Sequence, residues 1–228
     1  MPRLHVLQHH PAESPGAILD WAAGRDYSIA TTHLYRDEPL PAATDFLVVM
    51  GGPMNIYQDR DHPWLQAERA FLEAHIAAGR PAIGVCLGAQ LLADALGGRV
   101  TQNPRVEIGW WPVEFTSEAR ERFPFLPENI ETLHWHGDTF ELPAGALRLA
   151  TSAACANQGF LHDGRVLGLQ FHPEMTRTVA AELVADCGAS LEPAEFVQSG
   201  DTILAAPDAA FANAQRLLRE LLDAVFPA

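Results

Sequence analysis

The chain has 228 residues, of which 48% are hydrophobic and 19% are charged, and its net charge at neutral pH is −14. A nucleic-acid-binding protein is expected to carry a basic surface, so this acidic balance argues against nucleic acid, and against anionic membrane surfaces, as partners. The sequence has neither an apolar run long enough to cross a membrane nor the apolar leader of a secreted protein, so we expect a cytoplasmic protein.

The sequence contains three cysteines, Cys86, Cys155 and Cys187. Their odd number and the lack of closely spaced pairs argue against a disulfide framework and against a zinc site of the C-x-x-C kind. Such a set suits a reducing compartment. We therefore expect neither a metal nor a cofactor.

The first half of the chain alternates strands with helices. Strands are predicted over Leu4–Gln8, Ser28–Leu34, Asp45–Met50 and Ala82–Val85. The first helix is predicted to start at Ser14, as the capping residue, with Pro15 at the first helical position. A second helix is predicted over Trp64–Ala78, and Gly79 ends it. This alternation predicts an α/β fold with a doubly wound, mostly parallel sheet and flanking helices.

The second half is richer in strands. They are predicted over Gly109–Phe115, Ile130–Trp135, Leu147–Thr151, Ala156–Leu161 and Val166–Phe171. His162–Arg165 is predicted to be a hairpin turn, because its Asp-Gly pair suits positive φ angles. Helices are predicted over Thr176–Cys187 and Ala209–Val225, and the segment 188–207 between them is irregular and polar.

Cys86 lies between the predicted strand Ala82–Val85 and a helical pattern that begins at Ala89. Gly84 and Gly88 flank it in the G-x-C-x-G arrangement of a nucleophile elbow, with sulfur in place of the serine oxygen. Such a tight turn needs small neighbours, and the helix N-terminus behind it favours a thiolate. The pattern predicts a nucleophile, although a buried core cysteine is the ordinary alternative.

His172 is the candidate general base among ten histidines. A strand ends at His172, and Pro173 favours an extended conformation there. In an extended chain residues i and i+2 point the same way, so Glu174 can orient the imidazole ring. A histidine followed by an ordinary proline turn is the alternative.

An acyl-transfer site also needs backbone N–H groups that stabilise an oxyanion. The elbow offers the N–H of Leu87, and Gly51-Gly52-Pro53, after another strand, offers that of Gly52. The carboxyl ends of parallel strands share one edge of a sheet. Cys86, Gly52 and His172 all follow predicted strands, so we expect them to meet there.

These motifs together resemble the class I, or triad, glutamine amidotransferases. Gly84–Gln90 resembles the family's nucleophile motif, Gln170–Glu174 its His-x-Glu motif and Gly51–Pro53 its oxyanion strand. The resemblance runs from about residue 45 to 174. It implies a flavodoxin-like fold with Cys86 as nucleophile, His172 as base and Glu174 as the residue that orients the base.

The resemblance also implies residues that hold the substrate. Gly52 and Leu87 would form the oxyanion hole, and Gln90 would contact glutamine. Trp135–Asp138 resembles the Ser-His-Gly-Asp loop of the amidotransferase domain of GMP synthetase, with Trp135 in place of serine. His136, Gly137 and Asp138 are therefore candidate substrate-binding residues.

No linker divides the chain, so we expect one domain over 1–228 with a C-terminal extension, 188–228, that ends in a helix. That extension is too short to be an acceptor-using domain. The resemblance implies hydrolysis of the glutamine amide through a γ-glutamyl thioester, with a possible separate synthetase subunit as partner. A γ-glutamyl peptidase with the same triad is the alternative.

Three other interpretations remain open at this point. A cysteine α/β-hydrolase of the dienelactone hydrolase kind could use Asp138 or Asp163 as its acid, but it explains neither Gln90 nor Glu174. A PfpI-like enzyme would carry a histidine where Leu87 stands. A regulatory subunit without activity would keep the fold. His9 and His10 follow the first strand and could reach the same edge of the sheet, although exposed histidines are the more common case, so the sequence leaves their role open.

Overall fold

A computed structural model of the chain describes residues 1–188 and 191–226. Its strands are β1 Arg3–Gln8, β2 Ser28–His33, β3 Phe46–Val49, β4 Ala82–Val85, β5 Val100–Phe115, β6 Asn129–Phe140, β7 Leu147–Thr151, β8 Gly159–His162 and β9 Val166–Leu169. Its α-helices are α1 Ala17–Ala23, α2 Trp64–Ala77, α3 Leu87–Ala95, α4 Ser117–Arg122, α5 Arg177–Cys187, α6 Gly200–Leu204 and α7 Asp208–Val225, and a 3₁₀ turn covers Leu34–Arg36.

In the described residues the strands form one mixed sheet in the order β2-β1-β3-β4-β9-β8-β7-β5-β6. The first five strands of this order run parallel to one another. From β9 onward the neighbours pair antiparallel. Every residue of β3, β4 and β9 is buried, as expected for parallel strands covered on both faces. The predicted α/β fold with a largely parallel sheet is confirmed.

Helices cover the sheet on both faces, because successive strand residues point to opposite sides. On one face Val6 and Val48 pack in a cluster that includes α1 and α7. On the other face Leu47 and Val49 pack with α2 and α3. A third cluster joins α5, α6 and α7 to β5 and β6. None of the described helices is both long and apolar enough to cross a bilayer.

The predicted start of the first helix is wrong. The helix begins at Ala17 and has Gly16, with φ 47°, at its N-cap; no side chain caps it. The N–H of Ala17 instead donates to the carbonyl of Glu174 at 2.9 Å. A Cβ at position 16 would lie 2.3 Å from that same carbonyl oxygen. A contact with a distant loop therefore replaces the expected cap from Ser14.

Two strands of the second half are longer than predicted. Val100–Phe115 begins nine residues before the predicted Gly109, with a register shift between Gln102 and Glu107. Asn129–Phe140 continues through His136, Gly137 and Asp138, which the sequence alone treats as a loop. Their mutual antiparallel pairing stabilises both extensions, and local patterns do not reveal such pairing.

Smaller differences concern the ends of elements and the short helices. Strand β8 starts at Gly159 rather than Ala156, and β9 ends at Leu169 rather than Phe171. The hairpin turn between them is confirmed, with φ 50° at Asp163 and 69° at Gly164. The segment expected to be irregular contains α6, with a cap from Ser199. Residues 189–190 and 227–228 of the predicted C-terminal extension lie outside the described residues.

Candidate active site

Cys86 occupies a strained turn between β4 and α3. Its φ is 53°, a value that L-residues rarely adopt, and its N–H donates to the carbonyl of Leu169 at 2.8 Å. Only 6% of the residue is exposed. The thiol donates to the carbonyl of Trp135 at a sulfur–oxygen distance of 3.6 Å. The predicted elbow is therefore present, and it places the sulfur at the carboxyl edge of the sheet.

The two glycines beside Cys86 are required by close backbone contacts. A Cβ on Gly84 would lie 2.3 Å from the carbonyl oxygen of Gly88. A Cβ on Gly88 would lie 2.0 Å from the carbonyl oxygen of Val49 in the neighbouring strand. Real Cβ atoms do not approach backbone so closely. The spacing in the sequence thus reflects the packing of α3 on β3 and β4.

His172 and Glu174 form a buried pair immediately after β9. The two atoms His172 Nδ1 and Glu174 Oε1 are 2.8 Å apart, and the side chains are 2% and 0% exposed. The N–H of His172 donates to the carbonyl of Leu133 at 2.8 Å, which ties this turn to β6. The i, i+2 relation expected across Pro173 is thus present. The Cys86 sulfur is one of the groups that raise the pKa of this ring, so the thiol and the imidazole are neighbours.

The pair and the thiol change each other's protonation. Burial alone lowers the pKa of His172, but the Glu174 carboxylate and the Cys86 sulfur together raise it well above its ordinary value. Burial raises the pKa of Cys86, and the contacts with His172 and the Leu87 N–H only partly offset this. The resting thiol is therefore less acidic than the elbow position alone suggests, and its ionisation depends on His172.

A cavity of about 330 Å³ opens beside Cys86. Its lining includes seven of the predicted site residues, namely Gly52, Cys86, Leu87, Gln90, His136, Gly137 and Asp138. His172 and Glu174 are buried and do not line it. The structure thus brings together the residues that the sequence predicts around one small pocket.

A larger cavity of about 1220 Å³ lies elsewhere. Pro2, Asp45 and Pro81 line it, and each stands just before a parallel strand. It therefore lies at the amino edge of the sheet, across from Cys86. Its position gives it no part in the chemistry of the thiol.

Each predicted substrate-binding side chain has a partner within the chain. The amide Nε2 of Gln90 donates to Gln170 Oε1 at 3.2 Å. His136 Nδ1 donates to the carbonyl of Asp138 at 3.0 Å. The Asp138 carboxylate accepts from the Tyr57 hydroxyl at 3.0 Å and from the Asn55 amide. The loop after β3 thus orients Asp138 at the cavity wall.

The two predicted oxyanion donors flank Cys86. No described backbone carbonyl accepts a hydrogen bond from the N–H of Gly52. The N–H of Leu87 lies beside the Cys86 sulfur and lowers the pKa of the thiol. A Cβ on Gly52 would lie 3.0 Å from Leu87 Cδ2, so the glycine loop packs against the elbow.

Sequence reasoning missed Glu13, which lines the same cavity. A Cβ on Gly51 would lie 1.9 Å from Glu13 Oε2 and 3.4 Å from Cys86 Cβ, so this carboxylate is close to the elbow. Burial raises the pKa of Glu13, more than the nearby His172 and His9 lower it. Its place after β1, at the same sheet edge as Cys86, is the signal that could have identified it.

Of the two alternatives for His9, the structure shows the sheet edge rather than the more common exposed position. His9 is fully buried, with Nε2 2.9 Å from Glu68 Oε1 and Nδ1 3.2 Å from the carbonyl oxygen of Gly51. His10 is partly exposed and lies 3.6 Å from the carboxylate of Asp186. The two adjacent histidines therefore have different surroundings, since His9 contacts the glycine loop and His10 contacts Asp186 near the surface.

Glu107, His134 and His136 form a buried cluster on β5 and β6, and their ligand atoms lie within 4.8 Å of one another. Such a group could hold a metal ion. Glu107 Oε2 also accepts hydrogen bonds from Gln158 Nε2 at 2.6 Å and from Ser152 Oγ at 3.0 Å. Oε2 also lies 3.2 Å from His136 Nε2, whereas Oε1 of Glu107 is buried and has no described hydrogen-bond partner. We interpret the cluster as a polar network that orients His136.

The chain is similar to several known proteins. A family model described as "Glutamine amidotransferase class-I" matches residues 23–189. The glutamine amidotransferase-like protein YfeJ of Salmonella typhimurium is 36% identical over 209 residues, or 86% of this chain and 87% of that protein. The glutamine-hydrolyzing GMP synthase of Thermomicrobium roseum is 31% identical over 193 residues, which are 78% of this chain but only 35% of that longer enzyme.

Solved structures show the same fold. A glutamine amidotransferase from Thermotoga maritima matches with a TM-score of 0.89 and 29% identity, over 100% of this chain and 99% of that one. One from Methylobacillus flagellatus matches with a TM-score of 0.89 and 33% identity, over 97% and 92% of the two chains. Taken with the family match over most of its length, these likenesses show that the chain belongs to the class I glutamine amidotransferase family.

Proposed function

We propose that the protein hydrolyses the side-chain amide of glutamine through a γ-glutamyl thioester on Cys86. The observation that carries this proposal is the buried His172–Glu174 pair, whose ring is electrostatically coupled to the elbow thiol, beside a cavity of about 330 Å³ that Cys86 lines. A nucleophile, a base and a group that orients the base form a minimal set for nucleophilic acyl transfer. Family membership supplies glutamine as the substrate to test first.

The reaction begins when Cys86 Sγ gives its proton to His172 Nε2 and attacks the γ-carbonyl carbon of glutamine. The carbonyl oxygen becomes an oxyanion between the N–H groups of Gly52 and Leu87. His172 then donates the proton to the departing nitrogen, and the C–N bond breaks with release of ammonia. The γ-glutamyl thioester on Cys86 remains, and His172 has given up its proton and can act as a base again.

The second half reverses these roles. His172 takes a proton from water, and the resulting hydroxide attacks the thioester carbon. The C–S bond breaks, glutamate leaves and the sulfur recovers its proton from His172. Glu174 stays ionised throughout, orients the ring and stabilises the imidazolium that forms twice in the cycle.

A second histidine–carboxylate pair, His136 with Glu107, stands near Cys86 and is the competing candidate for the base. His136 uses Nδ1 on the carbonyl of Asp138 and Nε2 on Glu107, at 3.0 and 3.2 Å. His172 uses Nδ1 on Glu174, and no described atom makes a regular hydrogen bond to its buried Nε2. His172 therefore has a nitrogen available for the thiol proton, and His136 does not.

The cavity lining favours a substrate with a free amino group. Its ionisable carboxylates are Glu13 and Asp138, and no Lys or Arg lines it. Asp138 would pair with the α-ammonium group of the glutamyl head, and Gln90 would hold the same head near the thiol. A domain of this kind would work in the cytoplasm, where thiols stay reduced, and a separate synthetase subunit would receive the ammonia.

The experiment is steady-state release of glutamate and ammonia from a panel of glutamine, γ-glutamyl peptides and folyl-polyglutamate, with and without cell extract. We expect release from glutamine, which Cys86→Ser abolishes and the matched control Cys155→Ser leaves in place. Release only from γ-glutamyl peptides would favour a γ-glutamyl hydrolase with the same triad. No release from any compound, with Cys86 reduced, would favour a regulatory subunit without activity.

A further inference from the structure

We propose that His9 and Glu68 form a positioning pair that holds the Gly51–Gly52 peptide so that the Gly52 N–H faces Cys86. This inference rests on the proposed function, because it explains how one of the two oxyanion donors is aimed. His9 and Glu68 touch neither substrate nor the reacting sulfur. They act through the peptide group between Gly51 and Gly52.

The pair is anchored deep in the protein. His9 lies just after β1 and Glu68 lies on α2, and both side chains are 0% exposed. His9 Nε2 is 2.9 Å from Glu68 Oε1, and the His9 ring lies 5.4 Å from the ring of Trp64, also on α2. A buried charge persists only when it is paired and hydrogen-bonded. The ring is therefore held on two sides by one helix.

The contact that matters runs from His9 to the glycine loop. His9 Nδ1 is 3.2 Å from the carbonyl oxygen of Gly51, and a carbonyl can only accept, so Nδ1 carries the proton. Nε2, on the other side of the ring, lies 2.9 Å from Glu68 Oε1. Although burial alone lowers the pKa of His9, the Glu68 and Glu13 carboxylates and the Gly51 carbonyl raise it.

Because a peptide group is planar, the hydrogen bond to the Gly51 carbonyl also determines the direction of the Gly52 N–H. The described chain has no cis peptide bond, so the Gly51 carbonyl and the Gly52 N–H point in opposite directions within one plane. The carbonyl points to His9, and the N–H therefore points away from it, on the side where Gly52 and Cys86 line the same cavity. A hydrogen-bond donor on the carbonyl also polarises the peptide and strengthens its N–H as a donor.

Sterics alone do not fix this peptide. Glycine has no Cβ and adopts both signs of φ, so the backbone at Gly51 and Gly52 has more accessible conformations than that of other residues. A Cβ on Gly52 would lie 2.9 Å from His9 Cβ and 2.4 Å from the sulfur of Met54, so the loop has room only for glycine. The hydrogen bond from His9 is therefore the contact that selects one of the orientations open to the loop.

A matched pair of substitutions separates the two contacts of His9. In His9→Asn the amide nitrogen takes the place of Nδ1 and can still donate to Gly51, but the contact with Glu68 is lost. In His9→Gln the amide nitrogen takes the place of Nε2 and keeps the contact with Glu68, but the donor to Gly51 is lost. Both variants remove the same ring from beside Trp64, so general packing losses are similar.

We expect His9→Gln to lower kcat for glutamine by about 10- to 100-fold with KM within about threefold, because loss of an oxyanion donor costs about 10²–10³ in rate. His9→Asn should recover most of that loss. The inhibition constant of 5-oxo-L-norleucine, a ketone that forms a tetrahedral adduct with a thiolate, should rise in parallel with the fall in kcat. Alkylation of Cys86 by iodoacetamide makes no oxyanion and should change little.

His10→Gln is the control from the neighbouring position, and it should change kcat by less than about twofold because His10 lies away from the loop. Crystal structures of the two His9 variants supply a readout that is independent of turnover. A rotated Gly51–Gly52 peptide in His9→Gln but not in His9→Asn supports the proposal. This structural result would support the positioning role of His9 even if the parent protein hydrolysed no γ-glutamyl compound. In that case only the proposed function would fail.

An unchanged peptide in His9→Gln would overturn the proposal, whatever the activity. Equal losses of kcat in the Asn and Gln variants would also overturn it, because the effect would then come from packing. The proposal would also be overturned if His9→Gln lowered the rate of alkylation by iodoacetamide as much as it lowered kcat. The defect would then lie in the reactivity of Cys86 and not at the oxyanion donor.

Discussion

His172 Nδ1 lies 2.8 Å from Oε1 of Glu174, two residues further along the chain, and solvent reaches neither side chain to a useful extent. The carboxylate therefore fixes the ring from one side and leaves Nε2 toward Cys86. Both residues stand on one turn, and the hydrogen bond from the His172 N–H to the Leu133 carbonyl ties this turn to β6.

The first prediction concerns unequal losses in this pair. His172→Ala should reduce kcat almost as much as loss of Cys86, because both proton transfers pass through it. Glu174→Gln should retain about 10- to 100-fold more activity than His172→Ala, since a group that only orients the base costs less when removed. Steady-state glutamate release measures both.

The control for the base is His136→Ala, which should mainly raise KM. A small effect of His172→Ala together with a large loss of kcat in His136→Ala would assign the base to the other histidine–carboxylate pair.

A second prediction concerns the elbow glycine Gly88. A Cβ there would lie 2.0 Å from the Val49 carbonyl oxygen, and backbone cannot yield as a flexible side chain would. Gly88→Ala should lower the free energy of unfolding by about 1–3 kcal/mol or more. Gly24→Ala is the matched control, because its Cβ would meet nothing closer than 3.6 Å. Urea titrations that show equal stability for the two variants would contradict the packing argument.

A third prediction concerns Asp138. If its carboxylate pairs with the α-ammonium group of the substrate, Asp138→Asn should raise KM for glutamine by at least about tenfold, with a smaller effect on kcat. Tyr57→Phe removes one of the donors that orient this carboxylate and should raise KM by only a few fold. The idea fails if Asp138→Asn lowers kcat and leaves KM alone.

A fourth prediction concerns acid stability. Burial lowers the pKa of His134 to about 3, below the value of about 6.5 in an unfolded chain. Between these values only the unfolded chain binds the proton, so stability is complete above about pH 6.5 and is lost as the pH falls toward 3. From pH 7.5 to 5.0 this loss is about 2 kcal/mol.

His134→Gln carries no charge at either pH, so its free energy of unfolding should fall by about 2 kcal/mol less on acidification than that of the parent. Urea titrations at the two pH values measure this. His62→Gln, at a partly exposed position, should respond like the parent. An identical acid response of His134→Gln and the parent would show that His134 is not the titrating group.

The parts of the site that could be predicted from sequence are those whose geometry is local. Cys86 with its two glycines and His172 with Glu174 each lie within a few consecutive residues, so the spacing alone determines which side chains meet. The rule that parallel strands end at one edge then brought these segments together. The fold class followed from the alternation of strands and helices.

The parts that could not be predicted depend on partners far apart in the chain. Glu68 meets His9 only because α2 packs beside β1, and neither residue lies in a recognisable motif. Gly16 replaces Ser14 at the helix start because the carbonyl of Glu174 is there to accept. Strand β6 continues past Trp135 because β5 pairs with it there, Glu107 with His136 and Val100–Gln102 with Asp138–Phe140.

The central claim is that Cys86 carries the γ-glutamyl group, and trapping that group tests it most directly. The protein is mixed with glutamine, quenched in acid within the first turnover and analysed by intact-mass and peptide mass spectrometry. The account predicts one γ-glutamyl adduct per chain, located on Cys86, absent from Cys155 and Cys187 and absent in Cys86→Ala. Glutamate release without any adduct on Cys86, or an adduct that persists in Cys86→Ala, would contradict it.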